Sequence, residues 1–261
     1  MSDYADLAVL GDYYTNGSYG LRIESNYAIR YKLRGGISFR YENLIDGARG
    51  LPEYSRSTVF NVRWNHSKDP KSSPNSSFSA SVNFGSSDYY RQSVNQLNTP
   101  NFLNNNLSSS ISYTKSFPEY PRENISLTTA MSQNSQTKSV NLTLPTFQAN
   151  MERIFPFAPK NGAKKGFFQN INFQYAGRAE NRIITTEDEL FGPKMFDNAK
   201  TGMNHKIPLN TNFKVFKFFS VSTGINFEEV WTQNTLRYND FNVETNSVVI
   251  DTIRKVGAFR Q

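Results

Sequence analysis

Long, unbroken alternation of apolar and polar residues is the feature that most limits what this chain can fold into. Residues 77–84, Ser-Phe-Ser-Ala-Ser-Val-Asn-Phe, put Phe78, Ala80, Val82 and Phe84 on one side and Ser77, Ser79, Ser81 and Asn83 on the other. A period of two belongs to a β-strand with two unlike faces. The same pattern recurs through Leu7–Tyr13, Tyr19–Tyr27, Ile37–Tyr41, Phe60–Trp64, Leu107–Tyr113, Ile125–Met131, Val140–Phe155, Ile171–Tyr175, Ile207–Val215 and Phe219–Trp231, with a last strand in "SVVIDTIRKVG". This predicts roughly a dozen strands, many of 9 to 12 residues. Strands of soluble proteins average about 5–6 residues, whereas a tilted bilayer crossing takes about 9–11. Asn16-Gly17 reads as a two-residue hairpin turn and Gly35-Gly36 as the approach to the third strand. The best helical segment, "TTEDELFG", reads as a loop cap of no more than two turns.

The character of the polar faces decides which solvent they meet. An outward strand face in a soluble sandwich carries Lys, Glu and Thr. Here the middle strands offer mostly Ser, Thr and Asn, which suit a hydrated interior, while Phe, Leu, Ile and Val on the other face suit lipid. Aromatics gather where strands end, at Tyr13-Tyr14, Phe84 with Tyr89-Tyr90, Phe155 and Phe157, Phe167-Phe168 and Phe218-Phe219. Such clusters are expected at both interfaces of a membrane barrel. Long polar connections at about 43–56, 86–105, 178–205 and 237–246 contrast with short ones at Asn16-Gly17, "PEYPRE" and Lys217. The expected fold is all-β: an antiparallel up-and-down transmembrane β-barrel segment of about 12 strands, open and incomplete, with residues 1–261 forming part of one barrel domain. The N-terminus shows no basic n-region and no apolar h-region, so the chain reads as a piece of a longer protein.

Composition narrows function mainly by exclusion. Aromatics at 14% argue against disorder. No apolar run reaches the length of a membrane-spanning helix, and the lack of cysteine removes disulfides, thiolate zinc sites and cysteine nucleophiles. The net charge of +7 comes from scattered Lys and Arg whose tightest cluster is Lys160, Lys164 and Lys165, so no nucleic-acid partner is expected. His66 and His205 lie far apart in polar settings, without metal-ligand spacing. "NHSKD" gathers Asn65, His66, Ser67 and Asp69 at a strand end, an arrangement that rarely forms a triad. "EDE" at 187–189 reads as a solvated loop, and "GGISF" as a strand start rather than a phosphate loop. No catalytic group, cofactor or metal is expected. The competing readings are a porin or uptake barrel, a soluble extracellular adhesin, and an outer-membrane hydrolase using His66.

Four segments are distinctive beyond their alternation: "SDYADLAVLGDYYTNGSYGL" (2–21), "RWNHSKDPKSSPNSSFSASVNFGSS" (63–87), "NLTLPTFQANMERIFPF" (141–157) and "MNHKIPLNTNFKVFKFFSVSTGINF" (203–227). Together they resemble the barrel of lipopolysaccharide-assembly outer-membrane proteins, the LptD-like family. The resemblance implies a location in the outer membrane of a Gram-negative-type cell, and a barrel of more than twenty strands. Such a barrel receives lipopolysaccharide from a periplasmic bridge, houses a plug lipoprotein, and releases its cargo into the outer leaflet through a lateral gate. It further implies a preceding jellyroll domain and, in some members, cysteines joining the two domains; this sequence contains neither the jellyroll nor any cysteine. Lipopolysaccharide carries phosphates, so cations on the wet face would attract it. The candidate contacts are Arg22, Arg63, Lys115 and Arg178.

Overall fold

The computed structural model describes residues 3–94, 106–216, 218–233, 235–242, 247–253 and 257–260, with side chains described as far as 233 and at Val248. The strands are β1 (Ala8–Tyr13), β2 (Tyr19–Ile29), β3 (Leu33–Asp46), β4 (Ser55–Lys68), β5 (Ser76–Gly85), β6 (Asn106–Phe117), β7 (Glu123–Asn134), β8 (Ser139–Ile154), β9 (Asn172–Thr186), β10 (Lys200–Val215) and β11 (Phe219–Thr232). Three shorter ones follow: β12 (Thr235–Asn242), β13 (Ser247–Ile253) and β14 (Gly257–Arg260). β1 to β11 are hydrogen-bonded in sequence order and β14 pairs with β11, giving one 12-stranded open sheet; β12 and β13 form a separate hairpin. This is the up-and-down meander expected from the alternation. The strands are longer than expected, reaching 16 residues in β8 and β10.

Local chemistry sets the turns. Asn16-Gly17 belongs to a three-residue loop, not the two-residue loop expected. Tyr14 N–H donates to Ser18 C=O, Gly17 N–H to Tyr14 C=O, and Gly17 takes the left-handed conformation at φ 89°. This is the type I turn followed by a left-handed residue, the next commonest hairpin solution. Gly35-Gly36 lies inside β3 rather than before it. The "TTEDELFG" segment holds a single 3₁₀ turn, Glu187–Glu189, followed by the short helix Pro193–Asp197. Pro208 is accommodated inside β10 because the β9–β10 ladder skips Ile207 and Pro208, as a residue without an N–H requires. The turn expected at Lys217 and residues 243–246 of the connection expected at 237–246 lie outside the described residues, whereas 237–242 is strand rather than loop, being part of β12.

The chain divides into two compact units. The first comprises Met1–Thr114, Thr128–Leu144 and Ile183–Asn198; the second comprises Lys115–Leu127, Pro145–Arg182 and Ala199–Gln261. In the first unit, register puts Leu21, Ile23 and Tyr27 beside Tyr41, Phe39 and Gly35, then Phe60, Val62 and His66, then Phe84 and Ala80. The opposite face carries Arg22, Arg40, Glu42, Asn61, Arg63, Asn83 and Ser81. Burial is inverted relative to a soluble sandwich. Arg40, Glu42 and Asn61 are buried, whereas Tyr19, Leu21 and Ile37 are exposed. SFSASVNF, in β5, follows the expected division: Val82 stands beside Trp64 and Phe84 beside Val62, with Asn83 beside Arg63.

The polar face is closed at one strand end by a small apolar cluster. Val59, Leu107, Tyr89 and Tyr90 pack together with Leu44 against them. Tyr89 and Tyr90 come from α1 (Tyr89–Gln92), which folds back from the end of β5. Gln133, fully buried, donates to Gly85 C=O at 2.9 Å and to Ser87 Oγ at 3.2 Å. Glu187 accepts from both the N–H and the hydroxyl of Ser87, tying the β9–β10 connection to the same place. Leu107→Ala empties the centre of this cluster and is expected to cost about 2–5 kcal/mol, measured as a lowered urea midpoint of the protein folded in lipid.

Candidate functional site

The polar face of the first unit carries a ladder of charge. Arg22 on β2 stands directly opposite Arg40 on β3, and Asp12 on β1 is on the same face two residue-pairs along the ladder. Arg40 Nε lies 2.5 Å from Glu42 Oε1 and its Nη2 is 3.3 Å from Asp12 Oδ2. The two like-charged arginines therefore share a site made tolerable by two carboxylates. Arg22 Nε is 3.8 Å from Glu24 Oε1, a weaker contact at a part-exposed position.

Arg63 is placed differently. Its Nη2 donates to Tyr90 Oη at 2.9 Å and its guanidinium sits 5.7 Å from the Tyr90 ring. Asn83 Nδ2 also donates to Tyr90 Oη, and Asn61 Nδ2 donates to Asn83 Oδ1 at 3.0 Å. Among the described residues Arg63 has no carboxylate within salt-bridge distance. It is exposed, so the full charge is presented from the face. Burial pushes the phenol of neighbouring Tyr89 up from its ordinary value, with Arg40 and Arg63 opposing and Glu42 reinforcing the shift. Tyr89 is thus a neutral wall at physiological pH.

The other two cations belong to the second unit. Arg178 lies on the polar face of β9, opposite Asn204, and is paired with Glu180 at 2.5 Å. A groove of about 290 Å³ beside it is lined by Arg178, Glu180, Arg182, Lys200 and Asn204. Lys115 follows Thr114, whose hydroxyl is bonded to Ser77 of the polar face. Alternation then turns Lys115 the other way, with Tyr113 and Phe117, and its ammonium lies 4.9 Å from the Phe117 ring. Sequence reasoning missed Arg40, Arg182 and Lys200, which become legible only once register places them beside the named residues.

Both histidines lie on the apolar face, not in the polar settings read from their sequence neighbours. Tyr27 Oη is 2.8 Å from His66 Nδ1 and accepts from Trp64 Nε1 at 2.9 Å. In the second unit Tyr175 Oη is 2.7 Å from His205 Nδ1, with Trp231 6.0 Å from the histidine ring. Each tyrosine shelters a glycine: a Cβ at Gly35 would collide with Tyr27 Oη, and one at Gly177 with Tyr175 Oη. Asp69 instead caps its own loop by accepting from Lys71 N–H, so the residues of "NHSKD" do not converge. These clusters satisfy polar tips on an apolar surface, the arrangement aromatic side chains adopt at a membrane interface.

An open up-and-down sheet of long strands, with charge on one face and exposed aromatic and aliphatic residues on the other, defines the barrel class of outer-membrane protein. Within that class, the family model described as LptD protein matches residues 1–261, and the chain belongs to the LptD family. No curated protein and no solved structure matches it. LptD proteins are outer-membrane proteins that transport lipopolysaccharide and carry out no chemical reaction.

Proposed function

We propose that residues 1–261 are part of a single outer-membrane barrel domain that passes lipopolysaccharide across the outer membrane and inserts it into the outer leaflet. In this reading the charged face lines the lumen and the apolar face meets hydrocarbon. The observation that carries it is the presentation of Arg63, with no described carboxylate at salt-bridge distance, beside Asn83 on a face that it shares with Arg22, Asn61 and Ser81. A glycolipid phosphate can displace water from these guanidiniums and form paired charge-assisted hydrogen bonds. Arg178, already bonded to Glu180, would be a weaker contact, and Lys115, beside Phe117, would meet phosphate only at a strand end. A plug lipoprotein within the lumen and a periplasmic bridge delivering the lipid complete the proposed assembly.

The test is photocrosslinking of lipopolysaccharide to a reactive residue placed at Ser81, on the same face of β5 as Asn83, in the assembled full-length protein. A charge-assisted hydrogen bond contributes about 1.5–3 kcal/mol, so Arg63→Glu is expected to cut adduct yield roughly tenfold or more. Arg178→Gln should cut it less. Equal yields from wild type and Arg63→Glu, with barrel assembly intact, would remove Arg63 from the lipid path.

A further inference from the structure

We propose that the β8–β9 connection, residues 155–171, is a docking surface for anionic phospholipid headgroups at one rim of the barrel. The inference rests on the membrane-barrel reading above but concerns a part of the chain that the transport path does not use. The segment reads FPFAPKNGAKKGFFQNI: three lysines, four phenylalanines and no acidic residue. It holds the basic cluster that scattered charge elsewhere leaves unexplained.

Its position is fixed by contacts within the second unit. The short helix α2 (Gly166–Gln169) is held on the apolar side of β10. Thr211 Oγ1 donates to Phe167 C=O at 2.9 Å, and the Phe167 ring meets Phe213 edge-on at 5.3 Å. Phe213 shares its face of β10 with His205, Ile207 and Leu209. The segment therefore folds onto the face that meets lipid rather than onto the polar face. Lys164 stacks over Phe155, and Phe155 N–H donates to Tyr120 Oη in the β6–β7 turn.

The surroundings supply the rest of an interfacial surface. Tyr120, Phe157, Phe168, Phe216 and Phe218 are 60–88% exposed at this end of the strands, where β10 runs into β11. Lys160, Lys164 and Lys165 stand exposed among them. Aromatic rings with lysines beside them and no acid within 155–171 make a surface complementary to an anionic leaflet, the acids of the adjoining turn, Glu119 and Glu123, being accompanied by Arg122. Of the three connections that the second unit has at this end, 118–122 and 216–218 are short and 155–171 is the long exception, whereas 187–199, which joins the other ends of β9 and β10, is also long. Short turns mark the periplasmic side of outer-membrane barrels, where the leaflet is phospholipid rather than lipopolysaccharide. The occupant is accordingly an anionic phospholipid.

The experiment reconstitutes the full-length protein in phosphatidylcholine vesicles doped with a headgroup-photoactivatable probe: phosphatidylglycerol, phosphatidylcholine or lipopolysaccharide. Adducts are mapped by mass spectrometry. Residues 155–171 are expected to label preferentially with the phosphatidylglycerol probe. A lysine at an anionic surface is worth about fivefold in binding. The triple variant Lys160→Gln, Lys164→Gln, Lys165→Gln should therefore lose the preference, and the triple Lys→Arg variant should keep it. Heat-modifiable migration confirms that each variant is folded. Equal labelling by phosphatidylglycerol and phosphatidylcholine probes overturns the proposal, as does preferential labelling by lipopolysaccharide. Label on the apolar face of β10 and β11 without preference at 155–171 defeats this inference alone. Absence of lipid label on those strands defeats the barrel reading itself.

Discussion

Gly35→Val is expected to abolish assembly of the folded protein, seen as loss of heat-modifiable migration and of recovery with outer membranes. A side chain at this position would meet the Tyr27 phenol and, at 2.5 Å, the backbone oxygen of Asn65 on the adjoining strand. The phenol could swing away, at the cost of its bonds to His66 and Trp64; the backbone oxygen cannot, because β3 and β4 are paired on both sides of it. Overpacking in a position that can relax costs about 1–3 kcal/mol, and a fixed backbone obstacle lies at or beyond the upper end. Gly177 provides the control. There the nearest atoms all belong to the Tyr175 side chain, so Gly177→Ala should assemble and lose only about 1 kcal/mol. If Gly35→Val assembles as well as Gly177→Ala, the close approach of β3 and β4 at this point is wrong.

Arg40→Met is expected to destabilise the folded protein by about 3–5 kcal/mol, measured by urea unfolding in lipid vesicles. Glu42 is 2% exposed and lies 2.5 Å from the guanidinium that the substitution removes. Losing one member of a buried pair strands charge of the other sign in low dielectric, which costs more than the pair itself contributes. Arg40→Met combined with Glu42→Gln should recover at least half of the loss, since the buried carboxylate is then neutral and Asp12, which also loses Arg40, is part-exposed. A double variant no better than Arg40→Met alone would show that Arg40 acts through packing or through Asp12 rather than through Glu42.

The division of faces is open to reading from the sequence because a strand has a period of two and no freedom to choose another. Once Phe78, Ala80, Val82 and Phe84 share a side, Ser77 to Asn83 must share the other. The same logic fails where parity meets chemistry that lies far away in sequence. His66 sits between Asn65 and Ser67, which look like a polar setting, yet its face is decided by its place in β4 beside Trp64 and Val62. Its partner Tyr27 lies on β2, two strands away in the sheet. Gly35-Gly36 resembles a strand start because glycine is rare inside strands; a neighbouring tyrosine ring that fills the missing side chain's place is not encoded locally. Arg40 draws no notice in the sequence because its significance comes from register, which sets Arg22 opposite it and Asp12 within reach.

By itself the sequence determined that this chain makes long two-faced strands, that the polar faces of the middle strands are mostly Ser, Thr and Asn, and which family it resembles. Those properties follow from the order of residue types along one strand at a time. The tertiary structure decided which charges neighbour one another, which of them keep a carboxylate, and where the histidines and the lysine-rich 155–171 segment come to rest. Each of these depends on pairing between strands, where a shift of one residue exchanges the two faces. Alternation gives each strand its two sides; only the ladder of hydrogen bonds between strands gives those sides their neighbours.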